Sequence, residues 1–194
     1  MRLGAWIAVS VFTAVSVVCL TWDRGASQDA AQPSSQAADA LAAYDRIASV
    51  LQSPRCLNCH PRSDRPTQGD NRHIHPMNVQ RGIDGNGMPA MRCSACHQGH
   101  NNDMAGIPGA PHWHLAPASM GWVGLSKAEL CRTLLDRDKN GGRSVADLVA
   151  HITGDALVRW AWEPGAHRSP PPMTTDDLKT ALDAWARAGA PCPG

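Results

Sequence analysis

Apolar residues return at Leu41, Tyr44, Ala48 and Leu51, steps of three, four and three that line one face of a helix. Ser53-Pro54 ends that stretch. Residues 61–90 carry Gly, Pro, Asn, Asp and Arg without sustained periodicity, which predicts irregular but ordered loop. From Gly124 the helical pattern returns. Ser126-x-x-Glu129 is a capping box ahead of Leu130, Leu134 and Leu135, and Ser144-x-x-Asp147 leads into Leu148, Val149 and Ile152, with Gly154 near the end. A continuation from Ala156 to Trp162 stops at Pro164-Gly165. Thr174 caps a last helix bearing Leu178, Leu182 and Trp185, and Gly189 and Pro191 close it. No alternating run argues for a sheet, so the fold class is mostly α with extensive irregular loops.

Two pentapeptides interrupt the loops. Cys56-Leu57-Asn58-Cys59-His60 and Cys93-Ser94-Ala95-Cys96-His97 both read C-x-x-C-H. In that pattern two thiols add to the vinyl groups of one haem, and the adjacent His reaches the iron. The expectation is two covalently bound haem c groups, held by Cys56, Cys59 and His60 and by Cys93, Cys96 and His97. Zinc is the rival. The 33 residues from Cys59 to Cys93 exceed a zinc ribbon's gap, and zinc does not require a His after each pair.

Each iron then has an open side. His75, in His73-Ile-His75-Pro76, and His114, in His112-Trp113-His114, lie in loops that can cross a haem face, and they are the expected distal ligands. His73 and His112 come next, whereas His100 follows His97 too closely to leave the proximal side. Methionine competes and would raise the potential. Met173, behind three prolines, leads Met77 and Met120, for which core packing is the plainer role.

The start of the chain sets the compartment. Arg2 precedes an apolar run from Leu3 to Trp22, so residues 1–27 read as a signal peptide or an N-terminal membrane anchor. Small residues at Gly25-Ala26-Ser27 favour a cut before Gln28. Cys19 follows Val18, a poor context for lipid attachment, and reads as part of the signal. Residues 28–36 read as linker, and 37–194 as one domain, haem-binding over 37–120 and helical over 121–194. Export places the chain in the periplasm and fits its seven cysteines. Once Cys19 and the four motif thiols are set aside, Cys131 and Cys192 remain as an expected disulfide.

Charge adds detail. Eighteen Lys+Arg against seventeen Asp+Glu gives no general case for nucleic acid or a membrane surface. Arg46, Arg55, Arg62, Arg65, Arg72, Arg81 and Arg92 nevertheless outnumber Asp64, Asp70 and Asp84 around the two motifs. Such arginines suit haem propionates or an acidic partner. Beyond residue 27 no Phe, one Tyr and five Trp remain, a lean aromatic supply that two haems would supplement. Asp136-Arg-Asp138-Lys-Asn140-Gly141 has calcium-loop spacing, but Arg143 and Asp147 depart from that pattern, and a capped turn is the better reading.

The stretch Cys56–His97 resembles small exported dihaem c-type cytochromes of bacteria. With His112-Trp113-His114-Leu115-Ala116-Pro117, Asn140-Gly141-Gly142-Arg143 and the Gly189-Ala-Pro-Cys-Pro end, the pattern is similar to a bacterial family labelled isoquinoline 1-oxidoreductase subunit. The last helix, after Pro-Pro-Pro-Met173, also looks like the end of single-haem cytochromes c. The resemblance implies a cytochrome c-like dihaem domain. It further implies an electron-accepting role beside a redox partner, such as a molybdenum hydroxylase or another c-type cytochrome. The alternative is a peroxidase-like haem enzyme, in which one iron keeps an open coordination site.

Overall fold

The computed structural model describes residues 33–194, so the signal or anchor expected over 1–27 lies outside the described residues. The described chain is 41% helix against 6% strand, which makes it mostly α. Six helices carry it: α1 (Pro33–Leu51), α2 (Pro54–Leu57), α3 (Lys127–Leu135), α4 (Val145–Gly154), α5 (Ala156–Arg159) and α6 (Thr175–Arg187). Helix α1 starts within the segment expected to be linker, with Pro33 in its first turn, where no backbone N–H is needed.

The core is built from α1, α3, α4 and α6. The buried stripe of α1 runs through Ala40, Tyr44, Ile47, Ala48 and Leu51, while Leu41 sits at the exposed edge. The stripe is thus turned slightly from the expected one, because Ile47 and not Leu41 is buried. Tyr44 and Trp185 meet with ring centroids 5.5 Å apart, and the Tyr44 hydroxyl donates to the Lys127 carbonyl at 2.9 Å. Burying two such rings stabilises the crossing by roughly 2–3 kcal/mol each. The Cys131–Cys192 disulfide, with Cα atoms 5.6 Å apart, ties the C-terminal tail to α3.

The caps form as the sequence predicts. Ser126 with Glu129 and Ser144 with Asp147 close reciprocal capping boxes, and the Thr174 hydroxyl accepts from Asp177 N–H. In the loop from Asp136 to Asp147 the Asn140 side chain is turned inward. It donates to the carbonyls of Leu134 (2.7 Å) and Arg143 (3.1 Å) and accepts from Arg143 N–H. That loop is a capped turn.

Residues 58–126 form the irregular part, pinned by two small antiparallel ladders. One pairs β1 (Thr67–Gln68) with β2 (His73–Ile74), and the other pairs β3 (Gly87–Met88) with β4 (Met91–Arg92). Among the described residues no helix is long and apolar enough to cross a membrane.

Candidate functional site

The two C-x-x-C-H segments fold as copies of one turn. In the first, the N–H groups of Cys59 and His60 both donate to the Cys56 carbonyl at 3.1 Å. In the second, those of Cys96 and His97 donate to the Cys93 carbonyl at 3.2 and 2.9 Å. None of the four thiols is in a disulfide. Burial pushes the Cys56 thiol up to about 12 and Cys59 up to about 11, so both stay protonated.

Each motif His is held the same way. His60 Nδ1 lies 2.8 Å from the Met120 carbonyl, and His97 Nδ1 lies 2.7 Å from the Pro108 carbonyl. A carbonyl only accepts, so Nδ1 carries the proton and Nε2 keeps its lone pair. Loss of solvation drives the His60 imidazole down to about 3 and lowers His97 as well, which keeps both rings neutral and able to bind a metal. Indoles back the rings: Trp122 stacks on His60 with centroids 3.4 Å apart, and Trp113 on His97 at 4.5 Å. Both acceptor carbonyls precede a glycine with no room for a side chain. A Cβ on Gly121 would lie 2.9 Å from Arg62 Cα, and one on Gly109 would lie 2.2 Å from the His100 carbonyl oxygen.

Each motif opens on a cavity. The larger, about 630 Å³, is lined by Cys56, Cys59 and His60 together with Leu148, His151 and Ile152 of α4. The smaller, about 450 Å³, is lined by Cys93, Cys96, His97 and His75. Both sizes fall in the range of cofactor sites. Cys59, His114 and Leu115 belong to both walls. The loop carrying His114 is fastened to the first motif by Ala116 N–H to the Cys59 carbonyl (3.1 Å) and Trp122 N–H to the His60 carbonyl (2.9 Å).

The larger cavity also holds buried donors with no acceptor: Arg55 Nε, Arg81 Nε and Trp122 Nε1. Arg55 is otherwise paired with Asp70 Oδ1 at 2.5 Å, and Arg81 donates to the carbonyls of Ala116, Pro61 and Ser63. Leaving such groups unpaired is costly, and each would be satisfied by an acceptor-only ligand group such as a carboxylate. Of the seven arginines around the motifs, these two line the larger cavity; Arg92 lines the smaller one and pairs with Asp84 at 2.7 Å.

The expected distal residues separate. His75 stands at the end of the first ladder, its N–H on the Pro66 carbonyl, with its ring centroid 6.1 Å from that of His97. His114 sits in the shared wall, its Nδ1 on the His112 carbonyl at 2.5 Å. His73 lines the smaller cavity, but Gln68 and Asn71 occupy both of its ring nitrogens. His112 and His100 are exposed and line neither cavity. Met173 packs against the core, where its carbonyl accepts from Trp162 Nε1 at 2.7 Å, and Met120 holds His60 through its backbone. Met77 lines the smaller cavity at its exposed rim. His151, absent from the expected set, lines the larger cavity. Its signal was present in the spacing Leu148, His151, Ile152, Asp155, one helical face ending in a carboxylate.

Among the described residues no three His, Cys, Asp or Glu side chains cluster as a ready-made ion site. Two thiols for covalent attachment and one imidazole with a free Nε2, beside an apolar cavity, are instead what each motif offers. Comparisons with protein-family models, curated proteins and solved structures find no match for this chain.

Proposed function

We propose that the chain is a dihaem c-type cytochrome that passes single electrons between redox partners. The supporting observation is the duplicated turn. Two copies of one hydrogen-bonding pattern each set a neutral, indole-backed imidazole beside two free thiols at the wall of a cofactor-sized cavity. In this reading Cys56 and Cys59 anchor the first haem and Cys93 and Cys96 the second, with His60 and His97 as proximal ligands. Haem supplies the reversible one-electron iron couple.

The protein's own groups do the rest. The Met120 and Pro108 carbonyls orient the proximal rings and strengthen them as ligands. Arg55, Arg81 and Trp122 supply donors to propionates of the first haem. Cys59, His114 and Leu115 line both cavities, which supports two neighbouring centres that exchange electrons. His75, near His97, supports a closed second iron, hence transfer in preference to catalysis there. Location in the periplasm, and a partner such as a molybdenum hydroxylase or another cytochrome, rest on residues 1–27 and on the family resemblance.

The test is expression of the full chain with the c-type haem attachment machinery, followed by intact mass and the pyridine haemochrome spectrum. Two covalent haems, both low spin, are expected. A product without covalent haem overturns the reading. A haem that is high spin and binds carbon monoxide readily replaces transfer with the enzyme alternative.

A further inference from the structure

Helix α4 lies over the larger cavity with Leu148, His151 and Ile152 in its wall, and Asp155 follows one turn after His151. Leu148 and Ile152 are buried, so this is the helix's inner face and His151 stands between two core positions. His60 lines the same cavity. Building on the dihaem reading, we infer that His151 is the sixth ligand of the first haem iron and that Asp155 is its positioning residue.

Asp155 is fixed before it meets the ring. Its Oδ1 accepts from the N–H groups of Leu157 (2.9 Å) and Val158 (3.2 Å), which caps α5. Its Oδ2 is left facing His151 Nδ1 at 3.6 Å, an ion-pair distance that a small side-chain rotation turns into a hydrogen bond. Once that bond forms, the carboxylate, which only accepts, puts the proton on Nδ1 and leaves the lone pair on Nε2. The Met120 and Pro108 carbonyls impose the same tautomer on His60 and His97.

Two other roles compete. A surface ion pair at i, i+4 is one, and the two side chains are 36% and 40% exposed, but His151 also lines the cavity that holds His60. His114 is the other candidate for the first iron, since its Nδ1 on the His112 carbonyl leaves Nε2 free as in His60, but it lines both cavities whereas His151 lines the larger one alone.

The test uses the haem-loaded full chain and reads spin state by electron paramagnetic resonance and visible spectra. His151→Ala should retain two covalent haems, lose half of the low-spin signal and regain it with added imidazole. His151→Met should keep both haems low spin and raise one of the two reduction potentials. Asp155→Asn, which keeps the cap, should stay low spin and shift that same potential alone. His114→Ala should leave the low-spin signal whole. Unchanged spin state in His151→Ala with unchanged potentials in His151→Met overturns the assignment, as does loss of half the signal in His114→Ala. Wild-type protein lacking covalent haem fails differently, since it removes the dihaem reading itself and this assignment with it.

Discussion

The rings of His75 and His97 both line the smaller cavity, with centroids 6.1 Å apart and planes inclined at 69°. An iron between two imidazoles needs a bond of about 2 Å on each side, and with the half-widths of the rings the centroids stand about 6 Å apart. The pair is spaced for one metal atom. His75→Ala is therefore expected to keep both covalent haems and convert the second to high spin, seen as loss of half the low-spin resonance signal. Two intact low-spin haems in that variant would remove His75 from the ligand set.

Arg81 is buried in the wall of the larger cavity, where its Nε makes no hydrogen bond and lies 3.9 Å from Asp64 Oδ1. If it faces a propionate, its positive charge favours the more negative, reduced state of that haem. Arg81→Met should lower one reduction potential by roughly 40–90 mV, equivalent to about 1–2 kcal/mol of lost charge interaction. Potentiometric titration separates this from a structural effect, because the other haem's potential should not move.

Gly109 follows the carbonyl that orients His97, and a Cβ there would lie 2.2 Å from the His100 carbonyl oxygen. The obstacle is backbone, which cannot rotate aside. Gly109→Ala should cost about 1–3 kcal/mol in urea unfolding, and it should shift the second haem's potential as Pro108 is displaced. A neutral result on both measurements would show that the loop yields without disturbing His97.

The Cys131–Cys192 bridge closes a sequence separation of 61. Removing it with Cys131→Ser and Cys192→Ser should cost about 2–4 kcal/mol, mostly through the wider freedom of the unfolded chain. Calorimetry should show a lower Tm with both haem spectra unchanged, because the bridge fastens the tail to α3 and touches neither motif. Non-reducing peptide mapping that finds both thiols free in the wild type would refute the pairing.

Signals that act over a few residues were legible in the sequence. The capping boxes at Ser126 and Ser144, the Thr174 cap and the pairing of two leftover cysteines depend on local hydrogen bonding or on elimination. The motif turns are similarly local. His151 was hidden because a histidine inside a capped helix looks the same whether that face meets solvent or a cavity, and only the packing of α4 decides. Leu41 lost its core place for a related reason, since where α6 lies selects among the rotations that an apolar stripe allows. Met173 looked presentable behind three prolines, but Trp162 holds its backbone against the core.

Cys59, His114 and Leu115 belong to two sites at once, and in a dihaem chain that arrangement makes the centres electrostatic neighbours. Each electron gained leaves one iron less positive and makes the next electron less welcome at the other. The chain would then accept its two electrons at distinct potentials even if the ligand sets were chemically identical. The two potentials belong to the pair and not to either haem, so the first electron enters more readily than the second without any moving part.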